Sequence, residues 1–267
     1  MGYAFGINQQ YTSKKMLNRP ILATLIKWVF GYTNIGNYAR SRVFKRLLKK
    51  LPLVTFNKIL DLGCGFGEYS FMLAKKNEFA EITALDPDPS KIEILRKTLK
   101  VVDAPNIILH NGKIASLYED DFDFIYSIDV FEHIPVDCMP FFKCYNKLKK
   151  GGFLLIKMPS KKQETIFPDR FFEEHHQWLE EEHPGQVFEL KDLVSKLKEE
   201  GFKIIYADYQ DGLLARLAWE ISYLSKKLGP LFQLITLPLA KTLVILDPIL
   251  KSSKRGNTIQ VIARKQL

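Results

Sequence analysis

The chain has 267 residues, of which 46% are hydrophobic and 26% are charged. This composition fits one globular domain with an appendage, and it excludes a disordered chain, a collagen and a disulfide scaffold. The net charge of +9 divides into 11 basic and no acidic residues over 1–60, 19 basic and 28 acidic over 61–211, and 9 basic and 2 acidic over 212–267. An acidic body between two basic, apolar-rich flanks indicates an anionic partner.

The N-terminal flank, residues 1–55, is basic and rich in apolar stretches. Residues 21–30 are apolar except for a threonine and a lysine. Residues 39–51 place apolar side chains on one helical face and basic ones around the rest, which predicts a helix that covers the sheet edge. No stretch reaches about 18 uninterrupted apolar residues, because Lys27, Lys241 and Asp247 interrupt the longest ones, so we expect no conventional membrane-spanning helix.

The central body, residues 56–211, alternates strand-like and helix-like segments. Apolar strands are predicted at 56–62, 81–86, 106–110, 122–128, 152–158, 202–209 and, as the last core segment within 258–267, at 258–263. Helical spacing is found at 68–76, 90–100, 137–150 and 190–200. Strands that are apolar on both faces and alternate with helices predict an α/β fold with a mostly parallel sheet covered on both sides.

A glycine-rich turn follows the first strand, at Gly63, Gly65 and Gly67. Glycine there lets the backbone approach a ligand closely, and the next helix presents free N–H groups at its start. Asp86 ends the second strand, where a carboxylate can accept hydrogen bonds from both ribose hydroxyls. This order favours a nucleoside-type cofactor, whereas the plainer alternative is a tight turn and a helix cap.

The spacing of the motif argues against a dinucleotide. Glu68 stands where a dinucleotide fold carries its third glycine, and Asp61 adds a second acid to the motif. Two acids suit a pyrophosphate poorly and a cationic ligand better.

Together these residues resemble the class I S-adenosylmethionine-dependent methyltransferases, in particular small-molecule enzymes of the ubiquinone-biosynthesis and polysaccharide-modifying type. The resemblance is carried by ILDLGCGFG at 59–67, ALDP at 84–87, FDFIYSIDVFEHI at 122–134 and LKKGGFLLI at 148–156. It implies a Rossmann-like seven-stranded sheet in the order 3-2-1-4-5-7-6, with the last strand antiparallel and helices on both faces.

The resemblance also implies S-adenosylmethionine as the cofactor and S-adenosylhomocysteine as the product. Gly63 and Gly65 are then expected to approach the methionine moiety, Asp86 to hold the ribose and Ser127 to lie near the methionine end. The set expected around the cofactor is Asp61, Gly63, Cys64, Gly65, Gly67, Asp86, Pro87, Lys113, Ile114 and Ser127. Relatives commonly carry an acid near Lys113, and since a lysine cannot accept a hydrogen bond from the adenine amino group, backbone atoms or another side chain must do so.

A hydroxyl acceptor must lose its proton, and histidine is the natural proton acceptor near neutral pH. His133 follows the fourth strand at the carboxyl edge of the sheet, and His183 resembles by position a histidine that relatives bring over the acceptor. We expect both to be catalytic, although His133 could instead be structural. His175, His176, His183 and the surrounding glutamates could hold a metal, but adjacent histidines point in different directions and no two histidines stand at i and i+4, so we expect none.

The segment after the fourth strand narrows the acceptor class, because it carries no motif of nucleobase amino methylation. We therefore expect O-methylation of a small or lipid-linked acceptor of glycan or prenylated quinone type, with RNA methylation as a minor alternative and nucleic acid otherwise not expected. A nicotinamide-dependent oxidoreductase and a non-catalytic protein that retains the cofactor fold remain open.

Residues 212–257 form an apolar, basic insertion between the sixth and last strands that is far longer than a usual hairpin connection. We expect it to be helical. A cap over the pocket, a homodimer contact and a contact with an anionic membrane surface are the uses that remain open. Three cysteines without metal-ligand spacing and an N-terminus without secretory features favour a cytoplasmic protein, peripheral on the inner face of the membrane if the last use holds.

Overall fold

The computed structural model describes residues 31–32, 34–100, 102–186, 188–250 and 255–266. The apolar stretch at 21–30, with Lys27, lies outside the described residues. One sheet of seven strands runs in the order β3-β2-β1-β4-β5-β7-β6, and β7 is antiparallel to both of its neighbours. The strands are β1 Lys58–Leu62, β2 Glu81–Asp86, β3 Ile107–Asn111, β4 Phe122–Ile128, β5 Leu148–Pro159, β6 Phe202–Gln210 and β7 Thr258–Lys265. The predicted fold is confirmed.

Eight α-helices accompany the sheet in the described part of the chain. They are α1 Ile35–Leu48, α2 Glu68–Lys76, α3 Pro89–Leu99, α4 Phe141–Lys147, α5 Glu173–Glu182, α6 Leu190–Glu199, α7 Leu213–Leu228 and α8 Pro230–Leu250. The helix predicted at 137–150 is shorter than expected. Pro140 precedes its first turn, and the chain already pairs with β4 from Leu148 onwards.

Alternate residues of each strand point to opposite faces of the sheet, and each face carries its own core. Ile59 and Phe124 belong to the cluster under α1, α2 and α3, whereas the neighbouring Leu60 and Ile125 belong to the cluster under α4 and α6. All four side chains are fully buried. Burial on both faces explains why the strands read as continuous apolar runs.

The insertion between β6 and β7 folds into the antiparallel helices α7 and α8, which pack on each other and on α1. Asp247 of α8 accepts hydrogen bonds from the backbone N–H groups of Gly212 (3.1 Å) and Ala215 (3.0 Å), so it caps the start of α7. By length and composition α8 could cross a membrane, with 22% of its apolar window buried against the protein. The buried cap at Asp247 ties this helix to the fold.

Candidate active site

The glycine loop between β1 and α2 combines tight packing with open space. Gly63, Gly65 and Gly67 all have positive φ angles, of 79°, 54° and 75°. A Cβ atom on Gly63 would lie 2.4 Å from Val130, and one on Gly67 would lie 2.3 Å from Leu95, whereas nothing lies within 4 Å of the corresponding position on Gly65. Two glycines are therefore required by packing, and the third leaves a cradle that a ligand can enter.

Asp86 closes the other side of this cradle. Its buried carboxylate accepts hydrogen bonds from the Gly65 N–H (2.8 Å) and the Asp88 N–H (2.9 Å). A carboxylate has about four lone-pair sites, so both oxygens keep capacity for ribose hydroxyls. The carboxylate is not the cap of α3, because that role falls to Asp88, which accepts from the Ser90 N–H.

The Asp61 side chain is directed toward the helix that follows the glycine loop. Its carboxylate is buried beneath the loop, where the Ser70 hydroxyl of α2 donates to it at 2.6 Å. Burial raises the pKa of Asp61 to about 7, although the hydrogen bond from Ser70 acts against that rise. The structure thus gives Asp61 a part in joining β1 to α2, where we had expected it to face a cation.

The remaining residues expected around the cofactor differ in exposure. The Cys64 thiol is buried, and burial raises its pKa well above the usual value. The Ser127 hydroxyl is also buried and donates to the Leu62 carbonyl at 3.0 Å. Pro87 and Lys113 are exposed, whereas Ile114 is buried beside them. The acceptor for the adenine amino group, expected from backbone atoms or another side chain, stays a prediction.

A cavity of about 510 Å³, called here the acceptor cavity, opens beyond the carboxyl ends of β4 and β5. Ligands of open α/β sheets bind at this edge. Its walls come from α1, the 3-10 turn Phe131–His133 that follows β4, α5 and the inserted helix α7. The insertion therefore roofs the cavity. Residues that the sequence interpretation missed here include Arg40, Glu132, Lys157, Arg216 and Trp219.

His133 and His183 meet in this cavity, with ring centroids 4.7 Å apart. His133 Nδ1 lies 2.7 Å from the Glu182 carbonyl, which can only accept, so Nδ1 carries the proton. His183 Nδ1 lies 2.8 Å from Gln186 Oε1, and the Gln186 amide nitrogen donates to the Ser160 carbonyl, which fixes the amide orientation. In the neutral form of each imidazole, Nε2 is therefore the nitrogen without a proton.

The cations at the cavity wall are held in ion pairs. Lys157 contacts Asp129 at 2.8 Å, and Arg40 contacts the same carboxylate at 3.0 Å. Burial alone would raise the pKa of Asp129, but the two cations outweigh it and lower that pKa. Arg216 is likewise paired with Glu164. Each of these three cations therefore contacts a carboxylate of the protein, and Arg40 and Lys157 share one.

An aromatic wall lines the side of the cavity formed by α5 and α7. His175 contacts Trp178 and Trp219, and Trp219 stacks on Tyr223 with centroids 5.2 Å apart. Burial lowers the pKa of His175 to about 4, so this imidazole is neutral and behaves as an aromatic ring. His175 is thus part of a stacking surface. Such a surface suits a flat acceptor.

Comparisons with known proteins decide the family. A family model described as a methyltransferase domain matches residues 36–207, more than half of the chain. The chain belongs to the class I S-adenosylmethionine-dependent methyltransferases. This confirms the predicted family and S-adenosylmethionine as its methyl donor, and the open cradle at Gly65 beside Asp86 fits that cofactor.

Two curated relatives match part of this methyltransferase. It is 28% identical over 120 residues to trans-aconitate 2-methyltransferase of Rhizobium rhizogenes, a match that covers 45% of each chain. It is 32% identical over 107 residues to a ubiquinone biosynthesis O-methyltransferase of Histophilus somni, with 38% of this chain and 44% of the relative covered. Each match spans less than half of the relative's length.

Solved structures share the methyltransferase fold. Phosphoethanolamine N-methyltransferase 2 of Haemonchus contortus, in complex with S-adenosyl-L-methionine, matches with a TM-score of 0.62 at 17% identity and covers 98% of this chain and 60% of that one. An S-adenosylmethionine-dependent methyltransferase of Mesorhizobium loti matches with a TM-score of 0.56 at 18% identity, covering 83% and 96%. At such identities the likeness concerns the fold alone.

Proposed function

We propose that this protein methylates a hydroxyl oxygen of a small acceptor that binds in the acceptor cavity. The observation that supports this most directly is the pair of histidines, each with Nδ1 bound to a hydrogen-bond acceptor, so that Nε2 is the basic nitrogen of the neutral ring. One of the named relatives is an O-methyltransferase, of ubiquinone biosynthesis. An aromatic wall and a paired set of charges favour a flat, hydroxylated acceptor of quinol type over a polyanion.

When bound, S-adenosylmethionine supplies a methyl group on a sulfonium, which is already an activated leaving group. The protein has then to align the acceptor, exclude water and take up the hydroxyl proton. Nε2 of His133 or His183 accepts that proton while the oxygen gains the methyl group, and the imidazole later releases the proton to solvent. Burial lowers the pKa of His183, which keeps it in the basic form at neutral pH.

The test is methyl transfer from labelled S-adenosylmethionine to a panel of prenylated phenols, sugars and carboxylic acids. We expect transfer to the phenols, and we expect His133→Ala and His183→Ala to lose at least about 100-fold of the rate, as is typical of a general base. Binding of S-adenosylhomocysteine by calorimetry should stay unchanged in both variants. The half-buried His110, which lies on β3 and does not line the acceptor cavity, gives His110→Ala as a matched control.

Other results would contradict the proposal. Normal cofactor binding without transfer to any acceptor would favour a non-catalytic protein that retains the fold. Binding of NAD in place of S-adenosylhomocysteine would favour an oxidoreductase. Transfer to RNA alone would favour the minor nucleic-acid alternative.

We also propose that the acceptor is carried in or on an anionic membrane, at which α8 docks. The helix presents large apolar side chains to solvent at helical spacing, and they are 38–75% exposed: Leu231, Phe232, Leu234, Ile235, Leu239, Ile245, Leu246, Ile249 and Leu250. The segment 212–267 has 9 basic and 2 acidic residues, which complements anionic lipid. On this proposal the protein associates with the inner face of the membrane, and the fold is compatible with a cytoplasmic location.

Sedimentation with vesicles tests this second proposal. We expect salt-sensitive binding to vesicles of anionic phospholipid, little binding to neutral ones, and loss of binding in Ile235→Glu combined with Leu239→Glu. Phe79→Glu is the matched control, because Phe79 is 95% exposed and lies before β2, far along the chain from α8. A stable dimer in solution that the α8 substitutions dissociate, without vesicle binding by the wild type, would assign the apolar face to a second copy instead.

A further inference from the structure

We infer that Glu132, His133 and His183 form a binding site for a divalent transition-metal ion. Each side chain offers one ligand atom, and these atoms all lie within 4.8 Å of one another. Among the described residues, these three form the group of histidine, cysteine, aspartate or glutamate side chains whose ligand atoms lie this close together. The sequence interpretation had considered His175 and His176 with His183, but the structure places those two in the aromatic wall and brings Glu132 and His133 to His183 instead.

The hydrogen bonds behind the two imidazoles are those of metal ligands. A ligating histidine almost always donates its other ring N–H to a carbonyl or carboxylate, which fixes the tautomer and orients the ring. His133 does so to the Glu182 carbonyl and His183 to the side-chain oxygen of Gln186. Both Nε2 lone pairs are therefore free to ligate, and both rings line the acceptor cavity.

Glu132 supplies an independent observation. Its side chain is 1% exposed, and its Oε2 atom is buried with no hydrogen-bond partner. Leaving a buried carboxylate oxygen without a partner is unfavourable, and a cation between Glu132 and the imidazoles would satisfy it. The nearby Asp129 is not available for this purpose, because Lys157 and Arg40 already occupy it.

The donor set selects the kind of ion. Two imidazoles and one carboxylate suit Zn²⁺, Mn²⁺, Co²⁺ or Fe²⁺ and are a poor match for Ca²⁺ or Mg²⁺, which prefer oxygen ligands. Ligands around one such ion at about 2.1 Å lie about 3 to 3.4 Å apart, so binding requires the three side chains to draw together. His133 is exposed on a 3-10 turn and His183 follows the last turn of α5, so neither histidine lies within an α-helix or a strand that would fix its backbone.

Three protein ligands leave coordination positions open toward the acceptor cavity. This part of the inference rests on the proposed function: an acceptor hydroxyl bound at an open position loses its proton to water more readily, because the cation stabilises the oxyanion. In the metal-bound protein the two histidines hold the ion, and the hydroxyl proton goes to water. In the metal-free protein Nε2 of a histidine accepts that proton.

Cobalt binding to the full chain tests the site without reference to activity. We expect chelator-treated protein to bind one Co²⁺ per chain, with the visible absorption of nitrogen-ligated cobalt, and Zn²⁺ to displace it. Glu132→Gln and His183→Ala should weaken binding by more than about 100-fold, and Gln186→Leu, which removes only the orienting partner, by about 10- to 100-fold. His176→Ala is the matched control, since it removes a neighbouring imidazole that is not in the group.

The outcomes separate this inference from the proposed function. Absence of Co²⁺ and Zn²⁺ binding by wild-type protein at millimolar metal would overturn the site, as would equal binding by wild type and Glu132→Gln. S-adenosylhomocysteine binding in each variant shows that the fold is intact. Methyl transfer that continues unchanged in chelator would reject a role of the metal in the reaction and leave the proposed function standing. Specific metal binding without transfer to any acceptor would support the metal site and contradict the proposed function.

Discussion

Arg40 Nε lies 3.0 Å from Asp129 Oδ2, so the basic helix α1 is joined to the chain just beyond β4. The same carboxylate contacts Lys157, whose side chain is only 3% exposed. Asp129 itself has a positive φ of 52°, an unusual conformation for a residue other than glycine. This ion triad therefore fixes the backbone that leads directly into Glu132 and His133.

Substitutions in the triad should have unequal costs. Arg40 is 39% exposed, so Arg40→Ala should lower the free energy of unfolding by less than about 1 kcal/mol. Asp129→Ala removes the carboxylate that contacts the buried Lys157 and should cost about 3 to 5 kcal/mol. Urea unfolding of both variants measures the difference, and Arg42→Ala on the same helix is the control for α1. Equal losses from Arg40→Ala and Asp129→Ala would contradict this account.

The glycine loop allows cofactor binding and stability to be separated. Gly65→Ala places a methyl group in open space, so it should cost about 1 to 2 kcal/mol for the left-handed backbone and abolish binding of S-adenosylhomocysteine. Gly67→Ala meets Leu95 as well and should cost about 2 to 4 kcal/mol. Calorimetry and urea unfolding give the two readouts. Undiminished cofactor affinity in Gly65→Ala would show that the cradle lies elsewhere.

Asp61 should make the stability depend on pH. Its folded pKa of about 7 lies above the ordinary value of 3.8, so the folded state binds more protons between these values and the free energy of unfolding falls as pH rises through this window. The slope contributed approaches about 1.4 kcal/mol per pH unit. Asp61→Asn should remove it, as seen by urea unfolding at pH 5, 6 and 7.

Asp88→Asn is the matched control for the Asp61 experiment. Asp88 caps α3 through its Oδ1, and asparagine retains that acceptor, so this variant should keep the wild-type pH dependence. A wild-type free energy of unfolding that does not change between pH 5 and 7 would contradict the raised pKa of Asp61. An unchanged slope of that free energy against pH in Asp61→Asn would contradict it as well.

Gly185 should be required to bring the two histidines together. Its N–H donates to the Glu132 carbonyl at 2.8 Å, and a Cβ atom there would lie 2.3 Å from the carbonyl oxygens of both Phe131 and Ile134. Gly185→Ala should therefore push the His183 loop away from the 3-10 turn. We expect it to lose Co²⁺ binding and methyl transfer together while S-adenosylhomocysteine still binds. Retention of metal affinity by this variant would contradict the positioning role.

The sequence allowed the fold to be predicted because the strands are buried on both faces. Apolar runs of five to seven residues, such as 81–86 and 122–128, match β2 and β4 residue for residue. The helix predicted at 137–150 was too long, because the periodicity of the sequence cannot show that Leu148 already pairs with β4. The cofactor was predicted from a family resemblance carried by four short motifs between residues 59 and 156, and short motifs of this kind are visible in the sequence itself.

The candidate site was less accessible from sequence. His133 and His183 were both selected, but their contact depends on two loops that dock through Gly185, and spacing along the chain does not encode that approach. The direction of the Asp61 side chain was not assigned from the sequence. Its period-two relation to Ile59, which faces the α2 side of the sheet, is the signal that would have placed it beneath the loop.

Glu220, buried in α7, receives the N–H groups of Ile166 and Phe167 at 2.7 and 2.8 Å. Helix α7, which covers the cavity, and the long loop after β5 are consequently held together by these two hydrogen bonds. A chimera in which a relative's segment replaced residues 212–257 alone would leave these two N–H groups without their acceptor. The loop after β5 would then lose its contact with α7. Exchange of acceptor specificity between relatives therefore requires that both segments be exchanged together.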